Sequence, residues 1–466
     1  MNIRTILFLS AIVFAVTLNA RADDEGGEAC AISENVVKTI ESCIPGATAK
    51  ATTPAFPDAK RKYYEVSFEQ LVDHRNPELG TFKQKLVLAH RGYKEPMVLQ
   101  TSGYSIFNVA PAAITARFDT NQIQIEHRFF RTSTPASEDW TKLDIKQSAD
   151  DFHRITEAFR KLYPVRWVNT GASKGGMTSV YHRYFYPRDL EGTVADVAPL
   201  SFSDEDMRYV DFIDNVGGDK YGECRVKLLS LQIHLLNHRE KFQAMAGGEY
   251  THLGGKDLAF EHAVQEMTFY FWQYGNPEST STGCAKVPTS DDSDEKVFAF
   301  FNAINPMPRN YGDDGLKEFI PYYFQAATQL GSPTLGRAGM EGLLKYTYKV
   351  SQYAPKSVKI EYSNAAMIDI GNWVRENGER MMFVYGELDP WSAGMFPEKV
   401  SDDCHWYTVP GGNHGANFTK LAPEWKKEAT DVLAKWLGKK PISESALDTT
   451  VPTLDELDFI SRGGRR

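Results

Sequence analysis

The segment Arg166-Trp-Val-Asn-Thr-Gly-Ala-Ser-Lys-Gly-Gly-Met177 constrains the fold more than any other. It runs from an apolar stretch into a serine flanked by Gly171 and Gly175 in the spacing G-x-S-x-G, with Gly176 next. A serine held on a strained strand-to-helix turn crowds the residues two before and two after it, so both must be nearly bare. Such a turn lifts the Ser173 hydroxyl above the sheet and leaves the Lys174 backbone N–H placed to donate to an oxyanion. The flanks agree: Asp150 to Leu162 has helical apolar spacing, Val165 to Thr170 reads as a buried strand, and Met177 to Phe185 as a helix.

The chain around this turn alternates strands and helices. Tyr63 to Asp73 and Thr81 to Ala89 have the period of antiparallel edge strands, and Pro96 to Gln100, Asn121 to His127 and Glu191 to Ser201 read as shorter apolar strands. From Phe202 the pattern becomes helical, with amphipathic runs at Val226 to Ala244, Leu258 to Tyr274, Glu295 to Ala303 and Leu316 to Gln329. Strands resume at Glu379 to Gly386 and Cys404 to Pro410, and Ala422 to Leu437 closes as a helix. The expected organisation is a targeting segment (1–22), an N-terminal extension (23–60), an α/β domain in two parts (61–201 and 372–438), an inserted helical cap (202–371) and an extended or partly disordered tail (439–466).

Composition limits the function classes. Of 466 residues, 42% are hydrophobic and 24% charged, ordinary globular values that exclude wholesale disorder. A net charge of −9 argues against nucleic acid as a partner. Arg4, the apolar run Ile6 to Leu18 and Ala20-Arg-Ala22 form a signal-peptide pattern with cleavage after Ala22. The run is too short to span a bilayer, so a secreted or periplasmic chain without stable membrane association is expected. In an oxidising compartment the five cysteines pair by default; Cys30 with Cys43 and Cys224 with Cys284 are the expected pairs, leaving Cys404 as a buried thiol.

A serine nucleophile needs a base, and the base needs an orienting acid. In the α/β-hydrolase arrangement the three follow in the order Ser, Asp, His, on loops past strand ends. Ser173, Asp389 and His414 satisfy that order; Asp196, Glu387 and His405 are the competing positions. Backbone N–H groups of Lys174 and of Gly103 or Tyr104 are the expected oxyanion donors. Metal-site and nucleotide-binding motifs are absent from the sequence, so no cofactor is expected.

The blocks Glu126-His-Arg-Phe-Phe, Gly171-Ala-Ser-Lys-Gly-Gly-Met, Gly386-Glu-Leu-Asp-Pro-Trp-Ser and Gly412-Asn-His-Gly resemble the secreted bacterial prolyl tri/tetrapeptidyl aminopeptidases. They also resemble the related lysosomal prolylcarboxypeptidase and dipeptidyl peptidase family. The elbow reads Gly-Ala-Ser-Lys where the lysosomal group has Gly-Gly-Ser-Tyr, which sides this chain with the bacterial group. The resemblance implies an α/β-hydrolase fold, peptide substrates, Ser173, Asp389 and His414 as the triad, and Met177 and Trp391 as walls of a proline pocket. Glu126, in the first block, is a further expected substrate-binding residue. Release of short peptides from an N-terminus also requires a carboxylate for the substrate ammonium; Glu205, Asp206, Glu261 and Glu266 are candidates, and sequence does not separate them. The competing functions are a post-proline dipeptidyl peptidase, carboxypeptidase or endopeptidase, an esterase with the same triad, and a non-catalytic hydrolase-fold binding protein.

Overall fold

The computed structural model describes residues 32–398, 403–448 and 450–461. The expected signal peptide and Cys30 lie outside the described residues. Among the described residues nine strands form one sheet: β1 (Ala47–Thr52), β2 (Lys62–Leu71), β3 (Thr81–His90), β4 (Met97–Thr101), β5 (Asn121–Ile125), β6 (Trp167–Ala172), β7 (Gly192–Asp196), β8 (Met381–Gly386) and β9 (Cys404–Val409). Their order is β1-β2-β3-β5-β4-β6-β7-β8-β9. The first three strands and β5 pair antiparallel, and β5 onward is parallel.

The sequence accounts for this division. In β2 (KYYEVSFEQL) buried and partly exposed residues alternate from Tyr64, as an antiparallel strand wetted on one face does. β4, β5, β7 and β8 are buried at every position because helices cover both faces. The period of two is visible within β8: Met381, Phe383 and Tyr385 pack beneath helices Lys174–Phe185 and Ala365–Asn377, whereas Met382 and Val384 meet helix Pro423–Leu437 on the other face. Helix Ile145–Arg160 covers the antiparallel end through Phe152, Ile155 and Phe159.

Between β7 and β8 the described chain is helical. Helices Gly222–Asn237, Lys256–Tyr274 and Asp294–Ile304 enclose a core of their own, including Leu228, Leu235, Phe260, Val264, Phe271 and Phe301. The disulfide Cys224–Cys284 staples this layer, with Cα atoms 5.1 Å apart. Cys43 is disulfide-bonded and Cys404 is a buried free thiol. Among the described residues no helix is long and apolar enough to cross a membrane.

Four expectations need correction. The stretch before residue 60 contains β1, which pairs with β2 from Ala47↔Phe68 to Thr52↔Tyr63 and so belongs to the sheet. The boundary at 371 falls inside helix Ala365–Asn377, whose Met367, Ile370 and Val374 pack on the sheet. The run Leu316 to Gln329 is broken into helices Asp313–Lys317 and Ile320–Gln325 and a π-turn Ala326–Leu330, with Pro321 opening the second piece. The tail is not simply extended: helix Leu454–Ser461 docks through buried Leu454, and Asp455 Oδ2 accepts from the Ala113 N–H at 2.6 Å.

Candidate active site

Ser173 stands between β6 and helix Lys174–Phe185 at φ 60°, ψ −127°, a conformation that costs a residue with a side chain energy and needs support on all sides. Close packing supplies that support. A Cβ on Gly175 would lie 2.4 Å from the Thr101 carbonyl oxygen, and one on Gly171 would lie 2.4 Å from the Gly175 backbone. The Ser173 N–H donates to the Asp196 carbonyl at 2.9 Å, pinning the turn to β7.

Lys174 opens the helix, where N–H groups point outward toward an anion. Gly103, at φ 71°, lies against that peptide, its Cβ position 2.6 Å from the Gly175 nitrogen. The Lys174 side chain is buried; its Nζ donates to the Gly103 carbonyl at 2.5 Å and sits 5.5 Å and 5.3 Å from the ring centres of Tyr104 and Phe130. A buried ammonium thus ties the serine turn to the neighbouring Gly103-Tyr104 loop through one carbonyl and two aromatic faces.

Asp389 follows β8 and is fully buried; its Oδ1 accepts from the Trp391 N–H at 3.1 Å and its Oδ2 meets His414 Nδ1 at 2.7 Å. His414 follows β9 and is buried, and its Nε2 has no hydrogen-bond partner among the described residues. The histidine loop hangs from the helical layer: the His414 N–H donates to the Gln273 carbonyl at 3.0 Å and Asn413 Nδ2 to the Gly275 carbonyl at 2.9 Å. The competitors are engaged elsewhere. Glu387 Oε2 accepts from the Gly411 N–H, His405 stacks on Tyr407 beside Glu428, and burial raises the Asp196 carboxyl well above the usual range.

Ser173 opens into a cavity of about 150 Å³ roofed by the helical layer. From the sheet side Tyr104 and Trp391 line it; from the layer come Glu266, Phe269, Tyr270, Gln273, Tyr274, Arg309, Phe319, Tyr322 and Tyr323. His414 packs against two of the lining residues, with ring centres 5.8 Å from Tyr274 and 6.2 Å from Trp391. Trp391 is held edge-on by Tyr209 and Phe269.

Two expected substrate-binding residues lie elsewhere. Met177 is buried in the cluster of Val180, Ala195 and Phe383. Glu126 is also buried, and its carboxylate accepts from Thr132 Oγ1, Ser133 Oγ and the Ile106 N–H at 2.9–3.2 Å. It braces loops around the site and does not line the cavity. An aromatic helix face reads equally as core and as pocket wall, so the runs 269–274 and 322–324 leave both readings open in the sequence; the structure sets Tyr274, Tyr322 and Tyr323 in the wall.

A parallel sheet with a serine elbow between β6 and its helix, and an Asp–His pair past β8 and β9, defines a serine hydrolase of the α/β-hydrolase fold. Within that class the chain belongs to the PS-10 peptidase S37 family, whose model matches residues 36–458, and is a serine peptidase. It is 40% identical over 395 residues to a prolyl tri/tetrapeptidyl aminopeptidase of Streptomyces mobaraensis, covering 82% of this chain and 81% of that protein. A lysosomal Pro-X carboxypeptidase of Mus musculus is 26% identical over 170 residues, 31% of this chain and 34% of that one. Among solved structures, a proline iminopeptidase of Mycobacterium smegmatis aligns with a TM-score of 0.37 and 12% identity, over 84% of this chain and 98% of that one.

Proposed function

We propose that this chain is a secreted or periplasmic exopeptidase that releases tri- or tetrapeptides from peptide N-termini after proline. Ser173 attacks the carbonyl carbon of the proline residue itself, and His414 Nε2 takes the hydroxyl proton and returns it to the leaving amine. Asp389 holds the imidazole with Nδ1 protonated and stabilises the imidazolium. Backbone N–H groups at Lys174 and at Gly103 or Tyr104 receive the oxyanion, and water then releases the acyl-enzyme by the same route. Trp391 offers an indole face against which a proline ring, having no N–H to satisfy, packs without cost.

The observation that carries this reading is the Asp389–His414 bond at 2.7 Å beside an orphaned Nε2, packed against the Tyr274 and Trp391 walls of the cavity into which the strained Ser173 opens. The similarity to the Streptomyces enzyme supports the substrate class. The Cys224–Cys284 disulfide supports an oxidising compartment.

The test is hydrolysis of Ala-Ala-Pro-p-nitroanilide, the same peptide succinylated at its amino end, and the Ser173→Ala protein on both. Cleavage of the free peptide alone, abolished in Ser173→Ala, is expected. Equal cleavage of both peptides would make the chain a post-proline endopeptidase, and turnover of nitrophenyl esters alone would make it an esterase.

A further inference from the structure

Helix Lys256–Tyr274 presents one face to the cavity: Glu266, Phe269, Tyr270, Gln273 and Tyr274 all line it, at the spacing of neighbours along a single helical stripe. One end of this stripe touches the base, through the Gln273 carbonyl to the His414 N–H and the Tyr274 ring. The other end is Glu266. At 1.5 Å per residue, Glu266 stands about 11 Å along the helix axis from the residues that touch His414. An extended peptide covers about 10 Å between its α-nitrogen and the carbonyl of its third residue.

Glu266 differs from the other acidic candidates in its surroundings. Glu261 is buried against Arg239 and the N–H groups of Lys345 and Tyr346. Asp206 is paired with Arg208, and Glu205 is exposed beside Lys349. Glu266 forms no salt bridge among the described residues. Its carboxylate is ringed by phenols: Tyr311 donates to Oε2 at 2.6 Å, Tyr353 lies 3.4 Å from Oε1, and Tyr348 also hydrogen-bonds it. A carboxylate has about four acceptor positions, so three phenols leave room for another donor.

We propose that Glu266 binds the α-ammonium group of the peptide substrate, and that helix Lys256–Tyr274 spaces it from Ser173 so that three residues are released. The inference rests on the exopeptidase reading above. The absence of a salt bridge among the described residues supports it, and burial pushes the Glu266 acid up to about 7.

The experiment compares kcat/KM for free and succinylated Ala-Ala-Pro-p-nitroanilide in wild type, Glu266→Gln and Glu266→Asp, with reactive Ser173 titrated by a small fluorophosphonate to count folded sites. Glu266→Gln is expected to lose about two orders of magnitude on the free peptide per titrated site, the scale of removing one partner of a buried charge pair. The ratio of free to succinylated rates then collapses toward one. Glu266→Asp keeps the charge and is expected to retain the preference for a free terminus at raised KM, a readout that stands even if the Gln variant fails to fold. A wild-type ratio preserved in Glu266→Gln, or lost alike in Glu266→Asp, would overturn the assignment. A wild-type enzyme indifferent to succinylation would instead remove the exopeptidase reading on which it rests.

Discussion

Replacing Glu266 by glutamine should stabilise the protein in alkaline solution while leaving it almost unchanged in mild acid. The folded-state value of about 7 lies above the ordinary 4.5, so the native state holds this proton more tightly than the unfolded chain does. The stability contributed by the neutral acid is fully present below 4.5 and is lost as pH rises through about 7. The displacement corresponds to about 3 kcal/mol at the alkaline limit, and cavity water trims this to about 2 kcal/mol for a half-buried side chain. The groups facing Glu266 are Tyr311, Tyr348 and Tyr353, with Tyr270 and Arg309 in the same cavity wall. Burial holds these tyrosines above the usual phenol range, and His262, behind Tyr353, is held to about 4, so neither tyrosine nor histidine changes charge between pH 5 and 8.5. Glutamine keeps the shape and the acceptor oxygen for Tyr311 and carries no charge to desolvate. Scanning calorimetry should show Glu266→Gln melting roughly 2 °C above wild type at pH 8.5 and within error of it at pH 5, given the entropy of unfolding at this chain length. Equal shifts at the two pH values, or a lower melting temperature for the variant at pH 8.5, would refute the claim that an uncompensated charge is buried there.

Four further outcomes follow from the geometry. Asp389→Asn should leave the fold intact and lower kcat by roughly four orders of magnitude, because the amide presents the wrong partner to His414 Nδ1; steady-state kinetics decide it. Gly175→Ala forces a methyl to within 2.4 Å of the Thr101 carbonyl, so fluorophosphonate labelling of Ser173 should be lost or the protein destabilised by several kcal/mol. Lys174→Met keeps the buried stem and removes the bond to the Gly103 carbonyl; kcat should fall about 10-fold or more with KM little changed, since the oxyanion loop loses its tie. Reducing Cys224–Cys284, which closes a span of 60 residues, should destabilise the protein by about 4 kcal/mol in urea titration.

The strands β2 to β9 and the elbow were legible because each combines apolar periodicity with a turn of recognisable chemistry. The glycines at 171, 175 and 176 announced a close approach that the packing of Thr101, Gly175 and Ala198 bears out. β1 was hidden because Ala47–Thr52 (ATAKAT) carries only small and polar side chains, and its strand character comes from pairing with β2. The tail helix was equally silent, its place set by Pro111 and Ala113 far away in sequence. Met177 and Glu126 fall outside the cavity lining, and proximity to a motif does not reveal on which side of a helix or loop a side chain falls. Glu266 could not be told from Glu261, five residues earlier on the same helix; only the third dimension shows one facing Arg239 and the other facing the cavity.

The suspension of the histidine loop from the helical layer gives that layer a second duty. The Gln273 and Gly275 carbonyls hold His414 and Asn413, so the position of helix Lys256–Tyr274 also sets the position of the imidazole. The roof over Ser173 and the scaffold of its base are therefore one piece of the chain, and a substitution that displaces that helix reaches the imidazole as well as the cavity.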